Sequence, residues 1–322
     1  MKARCLQITG FLVVVASLPY WLISTQSFLS IAVLTLLFAG AATAYNLVGG
    51  LSGQLSFGHS IFLGLGAYAT ALTRQDLGWN PWYGAALGVA LAVAAALLMA
   101  LPSVRLAGVY FVLVTYVATL TLEQVAVWAG SLTGGAAGVS IPLTGSSWRL
   151  LSFGPVGGYY LAAGLLAVIL VVAVLVDSSS LGLFARAVRD DRAAASAAGV
   201  RVVRAKITVL VISAALTSLV GVAYVQYTSF IDPSSAFGSM VAISIAMPAV
   251  FGGLRAFWGP VLGAAILIPV QQTLNPAFSG LPAGVGLLLF GLLIVAVQTT
   301  EPRGASHLVA ATATALNRRR VA

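Results

Sequence analysis

SSSLGLFARAVRDDRAAASAAGVRVVRAK, residues 178–206, is the one long charged interval in an otherwise apolar chain. It holds Arg186, Arg189, Arg192, Arg201, Arg204 and Lys206, six of the 16 basic residues. Asp190 and Asp191 sit among them, and apolar runs long enough to cross a bilayer flank both sides. Lys and Arg resist translocation, so a basic loop between two spans belongs on the cytoplasmic side. The interval therefore orients the chain and marks a surface for a soluble partner.

Working outward, the 322 residues are 60% hydrophobic and only 7% charged, whereas about a quarter of the residues in a soluble domain are charged. The mean hydropathy of +1.03 and repeated apolar runs imply an all-α polytopic membrane protein. A β-barrel would show short alternating segments instead. The net charge of +9 follows the loops, which points to lipid headgroups and not to nucleic acid. Ten spans are expected, near 8–23, 28–49, 57–73, 82–102, 108–128, 159–176, 207–229, 239–254, 258–274 and 283–299. With both termini inside, Arg105, the 178–206 loop and Arg255 fall on the cytoplasmic face. The same holds for the tail with Arg303, Arg318, Arg319 and Arg320, leaving Arg74 (beside Asp76) and Arg149 outside.

This gives a membrane domain over 1–302, a basic cytoplasmic tail over 303–322 and a long extracytoplasmic loop over 129–158. The Gly/Ser/Thr-rich loop is either a folded cap or a plain connector. Pro248, Pro260 and Pro269 are expected to interrupt the late spans, and the many small residues suit close helix packing. Met1-Lys2-Ala3-Arg4 has the charge of a signal-peptide start. The run Leu12–Leu18 leads into Pro19-Tyr20-Trp21, so a retained first span is expected over a cleaved one. Cys5 precedes that run, and a single cysteine forms no intrachain disulfide.

What the chain lacks narrows its function. The only lysines are Lys2 and Lys206, and neither follows a glycine, so no GxxxxGK[ST] phosphate loop exists. His59, His307 and Cys5 make no zinc ligand set. No catalytic constellation and no cofactor site are evident. Glu123 is the only carboxylate placed within a span, a poor basis for an ion relay. The reading is a pathway energised from elsewhere, and not an enzyme.

Two segments carry what chemistry remains. YNLVGGLSGQLSFGH, residues 45–59, is too polar and too rich in glycine for lipid exposure. Asn46, Gln54, Ser56 and His59 are pathway candidates there; the other reading is a tight turn with packed glycines and His59 as a core residue. FGGL at 251–254, followed by Trp258-Gly259, echoes VGGL at 48–51, a pairing seen in internally duplicated transport cores. In the charged loop, one helix is expected from Leu183 to Ala198 with Gly199 as its stop. Arg186, Arg189 and Arg192 lie on one flank, and Phe184 with Val188 anchors another face. It either docks into a soluble protein or serves only as a positive stop for topology.

Three stretches then bring a resemblance: 46–68, 181–200 with the following 204–225, and 251–265. RLAGVYFVLVT at 105–115 and SLTGG at 131–135 add to it. The chain resembles the permease subunits of branched-chain amino-acid ABC importers, the LivM/LivH family, on the LivM side. The resemblance implies a permease of the bacterial cytoplasmic (inner) membrane, working beside a second LivH-type permease. It also implies two cytoplasmic ATPase subunits and an extracytoplasmic solute-binding protein. Arg186, Arg189, Asp190, Asp191, Ala194, Ala195 and Gly199 would form the ATPase-coupling loop, by contact or by loop geometry. One departure concerns the solute. Ala242-Ile243-Ser244-Ile245-Ala246 stands where the family often carries a glutamate, leaving branched-chain or related amino acids, or urea and short amides. A self-sufficient carrier or channel is the competing class.

Overall fold

Hydrocarbon offers no partner for a peptide group, so apolar runs of this length satisfy their backbone internally as helices. The computed structural model describes residues 2–22, 26–106, 108–141 and 154–277, with scattered residues between 288 and 299. Its long helices are α1 (Lys2–Leu22), α2 (Gln26–Asn46), α3 (His59–Leu77), α4 (Pro81–Arg105) and α5 (Val109–Trp128). After the short α6 (Gly130–Thr133) come α7 (Gly154–Ser178), α8 (Ser180–Asp190), α9 (Arg192–Ala197) and α10 (Val202–Thr228). The short α11 (Pro233–Phe237) precedes α12 (Ser239–Gly252) and α13 (Gly259–Ala277). The protein is a multi-pass helical membrane protein, and nine of the ten expected spans coincide with a described long helix. Among the described residues, six stretches meet the length and hydropathy of a membrane crossing by themselves. The tenth expected span, the tail 303–322 and residues 142–153 fall wholly or largely outside the described residues.

α3 explains why hydropathy alone undercounts. It carries buried Ser60, Thr70, Thr73 and Arg74, and it lies against α4 and α10. Glycines set the spacing: a Cβ at Gly88 would lie 2.8 Å from the Gly66 Cα, and one at Gly221 would enter the Leu63 carbonyl. Without a hydrophobic drive between helices in lipid, such close backbone approach supplies the packing energy. The Arg74 guanidinium is buried and donates to Gln226 Oε1 at 3.5 Å. α1 packs into the bundle through the Tyr159 hydroxyl, which donates to the Val15 carbonyl at 2.7 Å, and through Phe11 against Trp258.

Two expectations need correction. α12 and α13 run on through Pro248 and Pro269, and Pro260 sits in the first turn of α13, where its missing N–H costs no helix bond. The charged loop is two helices and not one. Asp191 (φ −153°, ψ 112°) breaks the chain between α8 and α9, and its carboxylate caps α9 by accepting from the backbone N–H groups of Ala193 and Ala194 at 2.8 and 3.0 Å. An aspartate that finds backbone donors two and three residues on favours a new N-terminus over a continuing helix. Gly199 follows in a left-handed conformation, φ +82°.

At the end of the bundle away from this loop, residues 129–141 fold back on themselves. β1 (Val139–Ser140) pairs antiparallel with β2 (Phe230–Ile231), and the Ile141 N–H reaches the Ser229 carbonyl at 2.9 Å.

Candidate functional site

The glycine-rich segment after α2 neither continues as an α-helix nor forms a simple turn. Leu47–Leu51 widens into a π-helical turn with Leu47 to Gly50 buried, a rare geometry that often accompanies function. Ser52 closes it by donating to the Val48 carbonyl at 2.7 Å. Residues 52–58 then run without helix, through Gly53 at φ +69°. Irregular backbone at membrane depth needs protein partners, and α5 supplies them. Phe57 N–H donates to Thr115 Oγ1 at 3.1 Å, and Thr119 Oγ1 donates to the Phe57 carbonyl at 3.2 Å.

The second glycine pair comes to the same place. α12 ends at Gly252, Gly253 takes φ +104°, and Leu254 turns back beside the first pair. A Cβ on Gly50 would drive into the Leu254 carbonyl, and one on Gly252 into the Gly259 backbone. The two glycine breaks that echo each other in sequence are therefore in contact, and only glycine permits it.

α8 clamps this junction. Arg189 Nη1 donates to the Gly50 carbonyl at 2.7 Å, while its other nitrogens pair with Asp190 Oδ1 at 3.0 Å. Its Cγ would lie 2.6 Å from a Cβ at Gly53. Arg186 pairs with the Asp177 carboxylate and donates to the Asp177 carbonyl at 3.1 Å, tying α8 to the end of α7. Gly182, Ala185 and Val188 bury the inner face of α8. A cleft of about 400 Å³ remains between these parts, lined by Asn46, Gly50, Asp177, Arg186, Arg189 and Arg255 among others. Asn46 Oδ1 is buried there without a hydrogen-bond partner.

The expected coupling residues thus divide. Arg186 and Arg189 face inward, whereas Asp190, Asp191, Ala194 and Gly199 are exposed and Ala195 is buried. Val188 packs inside while Phe184 is 43% exposed, so that pair is split between core and surface. Two surface hollows flank α9. One of about 860 Å³ includes Arg192, Ala193, Ser196, Arg201 and Arg204; one of about 570 Å³ includes Phe184 and Gly199.

The expected pathway residues also divide. Asn46 lines the cleft, but Gln54 and Ser56 are buried elsewhere, with Ser56 Oγ accepting from the Gly58 N–H at 3.1 Å. His59 is a core residue, 1% exposed, set edge-on to Tyr45 and Phe62. Its Nε2 lies 2.9 Å from Ser213 Oγ, which itself donates to the Ala44 carbonyl at 2.6 Å. Ser213 has one hydrogen to give, so His59 Nε2 is the donor of that pair. The sequence did not single out Asp177, Leu254 or Arg255 as cleft residues; the repeated Gly-Gly-Leu was the signal that points to the last two.

Comparison with known proteins bears on this arrangement. A family profile described as "Branched-chain amino acid transport system / permease component" matches residues 27–298. The "High-affinity branched-chain amino acid transport system permease protein LivM" of Escherichia coli (strain K12) is 29% identical over 320 residues, covering 92% of this chain and 73% of the relative. The protein of the same name from Salmonella typhimurium (strain LT2) is 28% identical over 318 residues, with the same coverage. No solved structure gives a significant match to the chain.

Proposed function

Because the chain belongs to the branched-chain amino acid transport system / permease component family and is a permease of the LivM type, we propose that it forms part of the inward pathway for branched-chain or related amino acids. It works in a bacterial inner membrane as one subunit of an ABC importer. Separate ATPase subunits bind the 178–206 loop from the cytoplasm, a LivH-type permease completes the pathway, and a solute-binding protein delivers from outside. The chain itself hydrolyses nothing.

The observation that carries this reading is the bond from Arg189 to the Gly50 carbonyl. A loop whose role was only to set topology would need charge and no such joint. Here the outward side of α8–α9 offers exposed Arg192, Ala194 and Gly199 to a partner. Its inward side grips a place where two helices lose their regular hydrogen bonding. Force on α9 from a closing ATPase pair would pass through Arg189 to the π turn, shifting the bundle between two states by the difference in ATPase binding.

The test is purification of the tagged chain from its own membrane in mild detergent, followed by reconstitution of what accompanies it. Recovery of a second permease and ATPase subunits, with ATP-dependent uptake of L-leucine, L-isoleucine or L-valine fed by the binding protein, is expected. Uptake of urea or a short amide by that complex, and of no amino acid, would replace the solute. Uptake by this chain alone, abolished by an ionophore, would overturn the importer reading in favour of a carrier.

A further inference from the structure

Away from the basic loop, a groove of about 480 Å³ opens between α2, α5, α10, α11, α12 and α13. Its polar lining includes Glu123, Ser234, Ser239, Ser244, Gln271 and Gln272. Glu123 is half-buried on α5, one turn before the helix ends at Trp128, and it takes part in no hydrogen bond or ion pair among the described residues. The neighbouring carboxylate, Asp232, is used differently: it caps α11, with its Oδ1 accepting from the Ser235 N–H at 2.6 Å. Ser244 Oγ, in the run where this chain departs from its resemblance, donates to the Met240 carbonyl at 2.7 Å and lies 3.1 Å from the Gln271 amide. Its one hydrogen goes to the nearer Met240 carbonyl, so Ser244 Oγ accepts from the Gln271 amide, whose second N–H is left to donate. Ser239 is held at 3.1 Å from the Tyr116 hydroxyl.

We propose that this groove is a solute-binding wall of the pathway, with Glu123 taking the ammonium group of an amino acid and the Gln271 amide, beside Ser244, donating to its carboxylate. The inference rests on the importer reading and adds the residues that read the solute. A carboxylate in a span with no countercharge is costly, and such residues mark ion or substrate routes. A cationic group on the solute supplies the missing charge. The apolar part of the lining, from Leu34, Phe38 and Ile268, accepts a short aliphatic side chain.

The experiment uses the intact complex in detergent without its binding protein, with retention of radiolabelled L-leucine and of its hydroxy analogue, 2-hydroxy-4-methylpentanoate, as readout. Glu123→Gln is expected to weaken L-leucine retention at least tenfold while leaving retention of the hydroxy acid unchanged. Glu123→Asp should restore part of the difference, and ATP hydrolysis without solute should match the wild type, which a folding defect would not allow. Equal L-leucine retention by Glu123→Gln and wild type overturns the inference, as does an equal loss for both ligands. So does a wild-type complex that takes up L-leucine with ATP and binding protein but retains none without it. If the wild-type complex takes up no amino acid under any of these conditions, it is the importer reading that fails.

Discussion

At the basic end, Arg186 and Arg189 spend their donors on Asp177 and on the Gly50 carbonyl, and glycines let three backbones meet. At the opposite end, Glu123 faces a groove with serines and glutamines and has no partner among the described residues. Both regions hold charge in a chain with very little of it, yet one set of charges is consumed by the fold and the other is left open. A satisfied charge transmits force because moving it breaks a bond; an open one selects a ligand because the ligand completes it. Substitutions at the first region should therefore separate ATP hydrolysis from uptake, and those at the second should change which solute is taken.

The largest effect is expected from Gly50→Leu. Its Cβ has no room against the Leu254 carbonyl and the Asn46 side chain, so the two glycine breaks must separate. Uptake should fall to background, with the chain still detectable in the membrane. Gly164→Ala, where nothing lies within 4 Å of the added atom, should transport as the wild type does. If both behaved alike, the contact between the glycine breaks would have no role.

Arg189→Ala comes next. A hydrogen bond from a charged donor contributes about 1.5–3 kcal/mol, and its loss frees the π turn from α8. Uptake should drop roughly tenfold or more by that measure, while ATP hydrolysis by the assembled complex continues. Arg189→Lys should recover only part of the coupling, because an ammonium cannot reproduce the fork that reaches both Gly50 and Asp190. Comparing uptake per ATP hydrolysed across the three proteins is the decisive measurement.

A smaller effect separates backbone strain from contact. Gly53 and Gly199 both adopt positive φ, +69° and +82°, and alanine in that region costs about 1–2 kcal/mol. Around Gly199 the space is open, whereas a Cβ added at Gly53 would lie 2.6 Å from Arg189 Cγ. Gly53→Ala should reduce uptake more than Gly199→Ala in the same assay, and the margin reports the packing of Arg189 on the turn.

Much of this was legible in the sequence. Helix class and the basic loop follow from hydropathy and charge, which act residue by residue. The echo of Gly49-Gly50 in Gly252-Gly253 marked the joint, because glycine is kept where backbones approach. What was not legible depended on direction. Arg186 and Arg189 read as one flank of a helix, serving contact or loop geometry, since helical spacing gives a flank and not what the flank faces. His59 reads as a pathway candidate or a core residue because nothing in its neighbours announces Ser213, which is distant in sequence. Glu123 stood out as a lone carboxylate, but its groove is assembled from six helices and has no local signature.

The break at Asp191 offers the finest test of the contrast, since it concerns geometry on the exposed side of the loop alone. Its carboxylate accepts from two backbone donors at the start of α9, and replacing such a cap with alanine costs about 1 kcal/mol. Without it, α8 and α9 lose the reason to be two helices, and the Leu183–Ala198 stretch tends toward the single helix its composition favours. Asp191→Ala should then weaken ATPase binding by severalfold in a pull-down titration and leave L-leucine retention by the outer groove unchanged. Asp191→Asn keeps an oxygen acceptor in the same place and should bind the ATPase as the wild type does. If asparagine failed as alanine did, the charge of Asp191 and not its cap would be what the partner reads.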